Sequence, residues 1–307
     1  MKRSGWRKLF IDIWKVKEIY ILLIPGVIWY IVFAYIPIYG LTLAFKSYNA
    51  ALGIFHSPWI GFENYRYVFR DPEFWSAIWR TLYINLGRVI FEFPFPIILA
   101  LILNEVRVNR YKKVLQTVYT FPHFLSWVIV ASIMINTLSS RGLVNALISV
   151  FGGEAVNFLG STKLFIPMLY VTNIWKSAGW TMIIYLAAIA GIDTEQYESA
   201  IIDGASRLQM MRYITLPGIK STIEILLILQ IGNIMTQGFD QIFNLSNPAT
   251  SKVGEILDMY IYRITFLGPA DFSFSTAVSL FRSVINFAFL ILADRAAKML
   301  GSEGLFA

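Results

Sequence analysis

The sequence predicts an all-α membrane protein with six transmembrane helices, on three observations. Of its 307 residues, 57% are hydrophobic, and the mean hydropathy is +0.60. That is enough apolar surface to cover the outside of the protein as well as its interior, which calls for a bilayer as solvent. Only 15% of the residues are charged, against about a quarter in an ordinary globular domain. The apolar residues also gather into six stretches, each near the ~20 residues that a spanning helix needs.

The first stretch, 19–45, carries no charge. The second, 81–103, is interrupted by Arg88 and Glu92. The third, 114–140, is again uncharged, and the fourth, 164–192, holds one cation, Lys176. The fifth, 221–243, has Glu224 near its start and Asp240 near its end, and the sixth, 276–293, encloses Arg282. Residues 1–18 and 294–307 are then short tails. Residues 19–293 form one membrane domain, with no long repeat, low-complexity run or linker to a soluble domain.

An even number of spans puts both termini on one side of the membrane. Most of the 26 Lys and Arg residues fall on the side of the termini, chiefly in "MKRSGWRKLF" (Lys2, Arg3, Arg7, Lys8) and "VRVNRYKK". Cytoplasmic loops carry such an excess, so both ends are expected in the cytosol. The basic start has no short apolar run followed by a small-residue cleavage site, so it reads as a retained anchor and not a signal peptide. The net charge of +7 reflects this orientation bias and does not imply a nucleic-acid partner. With no cysteine, disulfides and thiolate metal sites are excluded. The only histidines are His56 and His123, so no metal site or histidine acid–base centre is expected.

The segment 193–220, between the fourth and fifth stretches, is the most charged of the cytosolic connections. Asp193 can cap a helix with Gln196 three residues on, and Glu195 and Glu198 sit where the helix dipole favours anions. Tyr197, Ala200 and Ile201 share one face at helical spacing. Gly204 can supply the left-handed residue that ends the helix. A second short helix, "SRLQMMRY", follows, and Pro217 suits the first turn of the fifth span. These features alone are equally those of an ordinary polar connector.

A resemblance adds to that reading. Glu198-Ser199-Ala200, Asp203-Gly204-Ala205, then Ile214, Leu216 and Pro217 resemble the EAA loop of bacterial ABC importer permeases. The sequence departs from that pattern at Ser199, where alanine is usual, and at Met211, where phenylalanine is common. "SPWIGFENY", "PFPIILALILNEV", "GFDQIFNLSNP" and the tail "GSEGLF" are similar to the maltose-type carbohydrate permeases, in their oligosaccharide and polysaccharide-uptake branch. The likeness covers nearly the whole chain.

It implies the maltose-type permease fold in a bacterial cytoplasmic membrane, with 193–220 as a coupling helix docked on a separate ATPase subunit. Glu198, Ala200, Asp203, Gly204, Ala205, Ile214, Leu216 and Pro217 would belong to that element. The partners implied are a second, homologous permease (a heterodimer), two ATPase subunits, an external solute-binding protein and a carbohydrate. No GxxxxGK[ST] occurs, so ATP and magnesium would be bound by the ATPase subunits, and no cofactor or catalytic residue is expected in this chain.

Ionisable groups at mid-bilayer cost about 2.5–3.5 kcal/mol on insertion scales and need partners. Arg88 and Glu92 lie one turn apart and are expected to pair with each other. Asp240 and Arg282 are expected to pair across helices. Asn173, Trp175, Lys176 and Trp180 on the fourth stretch, with Gln230, Asn233, Gln237, Asp240 and Gln241 on the fifth, offer amides for hydroxyls and indoles for sugar ring faces. Interhelical hydrogen bonding and interfacial tryptophans account equally well for each of them taken singly. An ion-coupled secondary transporter, with Glu92 or Asp240 at the ion site, is the alternative function. HExxH and GxSxG are absent, which argues against a membrane-embedded enzyme.

Overall fold

The computed structural model describes residues 13–302 and 304–306. The basic anchor expected at Lys2, Arg3, Arg7 and Lys8 therefore lies outside the described residues. Among these residues the fold is all-α, with one isolated β-bridge between Lys46 and Trp59. Four helices are long and apolar enough to cross a membrane, and two further bent pairs pass the same test when each is taken as one span. The chain is thus a multi-spanning α-helical membrane protein. It divides into two units, Met1–Arg70 with Ala270–Leu280, and Asp71–Pro269 with Phe281–Ala307.

In the first unit, α1 (Lys17–Tyr30) runs on through a π-helical turn and a 3-10 segment to Phe45. Pro25 and Pro37 explain the irregular winding, since each removes one N–H from the helical ladder. No side chain of the α1 segment is buried. The chain then turns at Lys46, whose ammonium donates to the Ile54 carbonyl at 2.7 Å and sits 4.9 Å from the Trp59 ring centre. These contacts satisfy a buried cation. Asn64, on α2 (Glu63–Arg70), donates to the carbonyls of Ala44 and Lys46 and closes the loop.

The second unit begins with α3 (Pro72–Phe91), capped by Asp71, which accepts from the Glu73 N–H at 2.8 Å, with Pro72 in the first turn. The helix is interrupted at Glu92-Phe93, ahead of Pro94, and resumes as α4 (Pro94–Asn104). Phe93 itself keeps helical dihedrals, with φ −61° and ψ −38°, so the interruption follows from Pro94, which cannot donate to the ladder.

The third predicted stretch, 114–140, is not one helix. α5 (Asn109–Thr120) passes into a 3-10 turn over Phe121–Phe124, Leu125 is extended, and Ser126 caps α6 (Trp127–Leu138). Pro122 is the cause. The membrane-length helical segment here is Trp127–Val150, which takes in Arg141 and α7 (Leu143–Val150), both beyond the predicted end at 140.

α8 (Thr162–Ala190) is the longest helix and the spine of this unit. Its Phe165, Met168 and Leu169 pack with Ile84, Ala131, Ile242 and Leu245 in one cluster. Further along, Met182, Tyr185, Leu186 and Ile189 pack with Ala100, Leu101, Leu103 and Ile219 in a second. α8 then bends by 72° into α9 (Thr194–Ile202). Arg207–Gly218 returns to the membrane and bends by 58° into α10 (Lys220–Gly232).

The fifth stretch is broken too. Residues 233–238 leave the helix, Gly238 takes φ +99°, and α11 (Phe239–Leu245) follows. α12 (Leu257–Phe266) and α13 (Phe272–Met299) complete the chain, and α13 runs beyond the predicted end at 293.

Gly179 shows how closely these helices pack. A Cβ placed there would stand 2.0 Å from the Tyr119 carbonyl oxygen, so only glycine lets the two backbones approach this far, as small residues do between membrane helices. Gly179→Leu should therefore lower the melting temperature of the detergent-solubilised protein, by overpacking worth about 1–3 kcal/mol. Gly26→Ala, whose added methyl meets nothing within 4 Å, should not lower it.

Candidate functional site

Two features stand out, a charged elbow between α8 and α10 and a polar, cavity-flanked network inside the second unit, the candidate passage. The elbow is built from its caps. Asp193 accepts from the Glu195 N–H at 3.0 Å and starts α9. At the other end Gly204, with φ +76°, donates to the Ile201 carbonyl and Ala205 donates to the Ala200 carbonyl at 2.9 Å. This is a Schellman pair that ends the helix at Asp203. The reciprocal capping box forms at Ser206 and Gln209, not at Asp193 and Gln196. The S-x-x-Q signature of that box is present in the sequence.

Two contacts hold the arms of the elbow together and a third ties it to the end of α4. The Tyr197 hydroxyl lies 3.0 Å from Thr215 Oγ1, a Cβ on Gly218 would stand 2.6 Å from Ile192, and Arg207 bridges to Glu105 at 3.3 Å. Leu216 packs on the second core cluster. Glu198 faces solvent. Ile201, Ile202 and Leu208 are exposed as well, Ile202 by 85%.

The passage lies where α3/α4, α8 and the broken fifth stretch meet. Arg88 Nη1 is 3.4 Å from Glu92 Oε1, and Arg88 Nη2 donates to Gln241 Oε1 at 2.5 Å. Asn173 donates to Glu92, and Gln241 donates to the Leu169 carbonyl and to Thr172. The Arg88 guanidinium also lies against Gly238, where it would meet an added Cβ at 3.0 Å. The non-helical backbone at 233–238 is served by side chains. Asn85 donates to the Ile234 carbonyl at 2.6 Å, Asn286 accepts from the Met235 N–H at 2.9 Å, and Gln237 donates to the Gln230 carbonyl at 3.2 Å.

Two cavities flank this network. One of about 350 Å³ is lined by Glu92, Asn173, Ser177, Gln230, Asn233 and Gln237 together with apolar neighbours. The other, about 290 Å³, is lined by Arg88, Trp127, Asn173, Gln237, Asp240 and Gln241 among others. Asn173 and Gln237 border both. The predicted path residues thus divide. Asn173, Gln230, Asn233, Gln237, Asp240 and Gln241 come together, while three do not join them. Lys176 is buried, donates to the His123 carbonyl at 2.8 Å and sits over the Trp127 ring. Trp180 stacks on His123 with ring centres 4.6 Å apart. Trp175 borders a separate, apolar cavity with Met134, Leu138 and Val171.

The expected Asp240–Arg282 pair does not form, because Arg282 pairs with Asp258 on α12. Asp258 lies between the fifth and sixth stretches, so no span-to-span argument would have reached it. Five residues on from Asp258, Arg263 binds Glu73 at 2.6 Å and Glu255 at 2.7 Å, and Arg80 approaches Glu255 at 3.5 Å. Tyr260 donates to Asp71 at 2.5 Å. Burial, with the Asp71 bond and charge behind it, holds the Tyr260 phenol far above its ordinary range, so it remains a neutral donor.

Residues 93–301 match the family model of the binding-protein-dependent transport system inner membrane component. The chain belongs to this family. It is 42% identical over 99% of its length, and 95% of the relative's, to the polygalacturonan/rhamnogalacturonan transport system permease protein YteP of Bacillus subtilis (strain 168). It is 43% identical over 94% of its length, and 91% of the relative's, to Protein LplB of the same organism. Among solved structures, a bacterial ABC transporter involved in the import of the acidic polysaccharide alginate superposes with a TM-score of 0.87 at 39% identity, covering 95% of this chain and 99% of that one. The chain is therefore a membrane permease component of an ABC importer. Permease subunits of this family are transport components without catalytic activity, which sets aside both the enzyme and the ion-coupled alternative.

Removing one partner of a buried ion pair strands a charge and costs about 3–5 kcal/mol, whereas replacing both with apolar groups costs far less. Arg88→Met and Glu92→Leu should each lower the melting temperature sharply in detergent. The double variant should be more stable than either single one.

Proposed function

We propose that this chain is one half of the transmembrane passage of an ATP-driven oligosaccharide importer in a bacterial cytoplasmic membrane. It has the six-span, maltose-type fold, both termini in the cytosol, short tails at 1–18 and 294–307, and the membrane domain between them. The two bent pairs count as the fourth and fifth spans. The second half is a homologous, non-identical permease, and two ATPase subunits and an external solute-binding protein complete the machine.

The observation that carries this reading is the elbow. It is capped at both ends of α9, braced between two spans and tipped with exposed isoleucines that no part of the described chain covers. A rigid projection of this kind passes a rigid-body displacement into the bundle. Glu198, Ala200, Asp203, Gly204 and Ala205 shape the docking tip. Ile214, Leu216 and Pro217 seat the return arm on the core. Closure of the ATPase subunits on ATP would draw the elbows together and turn the passage outward, and hydrolysis would reset it.

The passage supports a saccharide. Amide side chains give and accept hydrogen bonds with hydroxyls in either sense, and four of them line the larger cavity. At about 350 Å³ that cavity is at the low end of ligand sites, about 300–1,000 Å³, as half of a closed passage should be. Relatives named for polygalacturonan/rhamnogalacturonan, arabinooligosaccharides and alginate agree with an oligosaccharide.

Ile202→Glu places a charge on the docking tip. It should cut the ATPase subunits co-purified with this chain by about tenfold or more, equal to about 1.4 kcal/mol, and undiminished recovery would refute the docking. Asn233→Ala and Gln237→Ala should instead leave assembly intact and reduce saccharide uptake into proteoliposomes.

A further inference from the structure

The basic run 107–113 is used by neither the elbow nor the passage. Arg107, Arg110 and Lys113 are exposed and form no ion pair among the described residues, while Lys112 donates to Asn104 at 3.3 Å. Four cations thus fall between the residue two before α5 and its fifth position. The first turn contains no acidic residue, and Val108 provides no side-chain cap. Cations there oppose the helix dipole, so nothing internal to the helix accounts for them.

Below the cations a continuous apolar stripe runs down the exposed side of α5. Tyr111, Val114, Val118 and Phe121 recur at spacings of three and four residues and are 65%, 54%, 59% and 61% exposed. Leu115, on the other side, packs into the core. The ten steps from Tyr111 to Phe121 rise about 15 Å at 1.5 Å per residue, half of a hydrocarbon core of about 30 Å. A basic cluster heading a stripe one leaflet long matches a single lipid, with its headgroup at one end and a chain along the other.

We propose that an anionic phospholipid binds along α5, its phosphate held by Arg107, Arg110 and Lys113 and one acyl chain lying on Tyr111, Val114, Val118 and Phe121. The inference rests on the membrane reading of the chain. Clustered Lys and Arg beside a span attract anionic headgroups in a salt-dependent way. Glu105 joins this end of α4 to Arg207 of the elbow, so an occupied site would stiffen the base of the elbow.

The chain has no cysteine, so a fluorophore on Val118→Cys reports one place in a complex assembled with cysteine-free partners. Quenching by brominated phosphatidylglycerol is compared with quenching by brominated phosphatidylcholine, each as a minor component of a phosphatidylcholine bilayer. Phosphatidylglycerol should quench at least about threefold more effectively, with the preference reduced at 0.5 M salt. Arg107→Gln/Arg110→Gln/Lys113→Gln should bring the two lipids level while the ATPase subunits stay bound. Equal quenching in the unaltered background, or a preference unchanged by the triple substitution, overturns the proposal. So does loss of the ATPase subunits in the triple variant without a change in lipid preference, which would assign the patch to a protein. Absence of quenching by either lipid would instead strike at the membrane reading itself.

Discussion

The passage end of the structure depends on how a guanidinium is kept in an apolar interior. Arg88 is 3% exposed, and its charge is matched by Glu92 one turn on, with Gln241 as a second acceptor. Each partner is itself tied down, Glu92 by Asn173 and Gln241 by Thr172 and the Leu169 carbonyl. The chain of bonds joins three parts of the bundle at the level where two of them leave helical geometry. Such a network is specifying where its members are bonded and costly where they are not, and among them Arg88 Nε and Glu92 Oε1 are left without a hydrogen bond. Here it fixes the register of α8 against both interrupted neighbours, and with it the cavities on either side.

Much of the fold was legible because it follows from local chemistry. The Asp193 cap, the glycine stop at Gly204 and the Arg88–Glu92 pair each involve residues only a few positions apart. The break after α5 was also written locally, in Phe121-Pro122, but an uninterrupted run of apolar residues hides a proline when hydropathy is averaged. The partner of Arg282 was not legible. Asp240 and Asp258 are equally plausible by composition, and only the packing of α12 against α3 and α13 selects Asp258. Likewise Lys176, Trp175 and Trp180 are polar or aromatic residues at mid-span. Which way each points depends on helix rotation, and the close contact of Gly179 with Tyr119 sets that rotation for α8.

The elbow and the passage are linked through backbone that changes direction without losing stiffness. The 72° and 58° bends each fall beside a brace, the Tyr197–Thr215 contact on one side and the Gly218–Ile192 approach on the other. α10 runs from this braced base straight to the unwound residues at 233–238. A displacement of the base therefore arrives at the one part of the fifth stretch that has no helical ladder to resist it.

That unwound stretch has a consequence for how the protein tolerates sequence drift. Two of its peptide groups, the Ile234 carbonyl and the Met235 N–H, are satisfied by Asn85 and Asn286, two side chains that border neither cavity. A helix can exchange most of its side chains without disturbing its own hydrogen bonds, but this backbone borrows its bonds from elsewhere in the molecule. Positions that border neither cavity are thus as constrained as those that do, and random mutagenesis would be expected to return them with equal force.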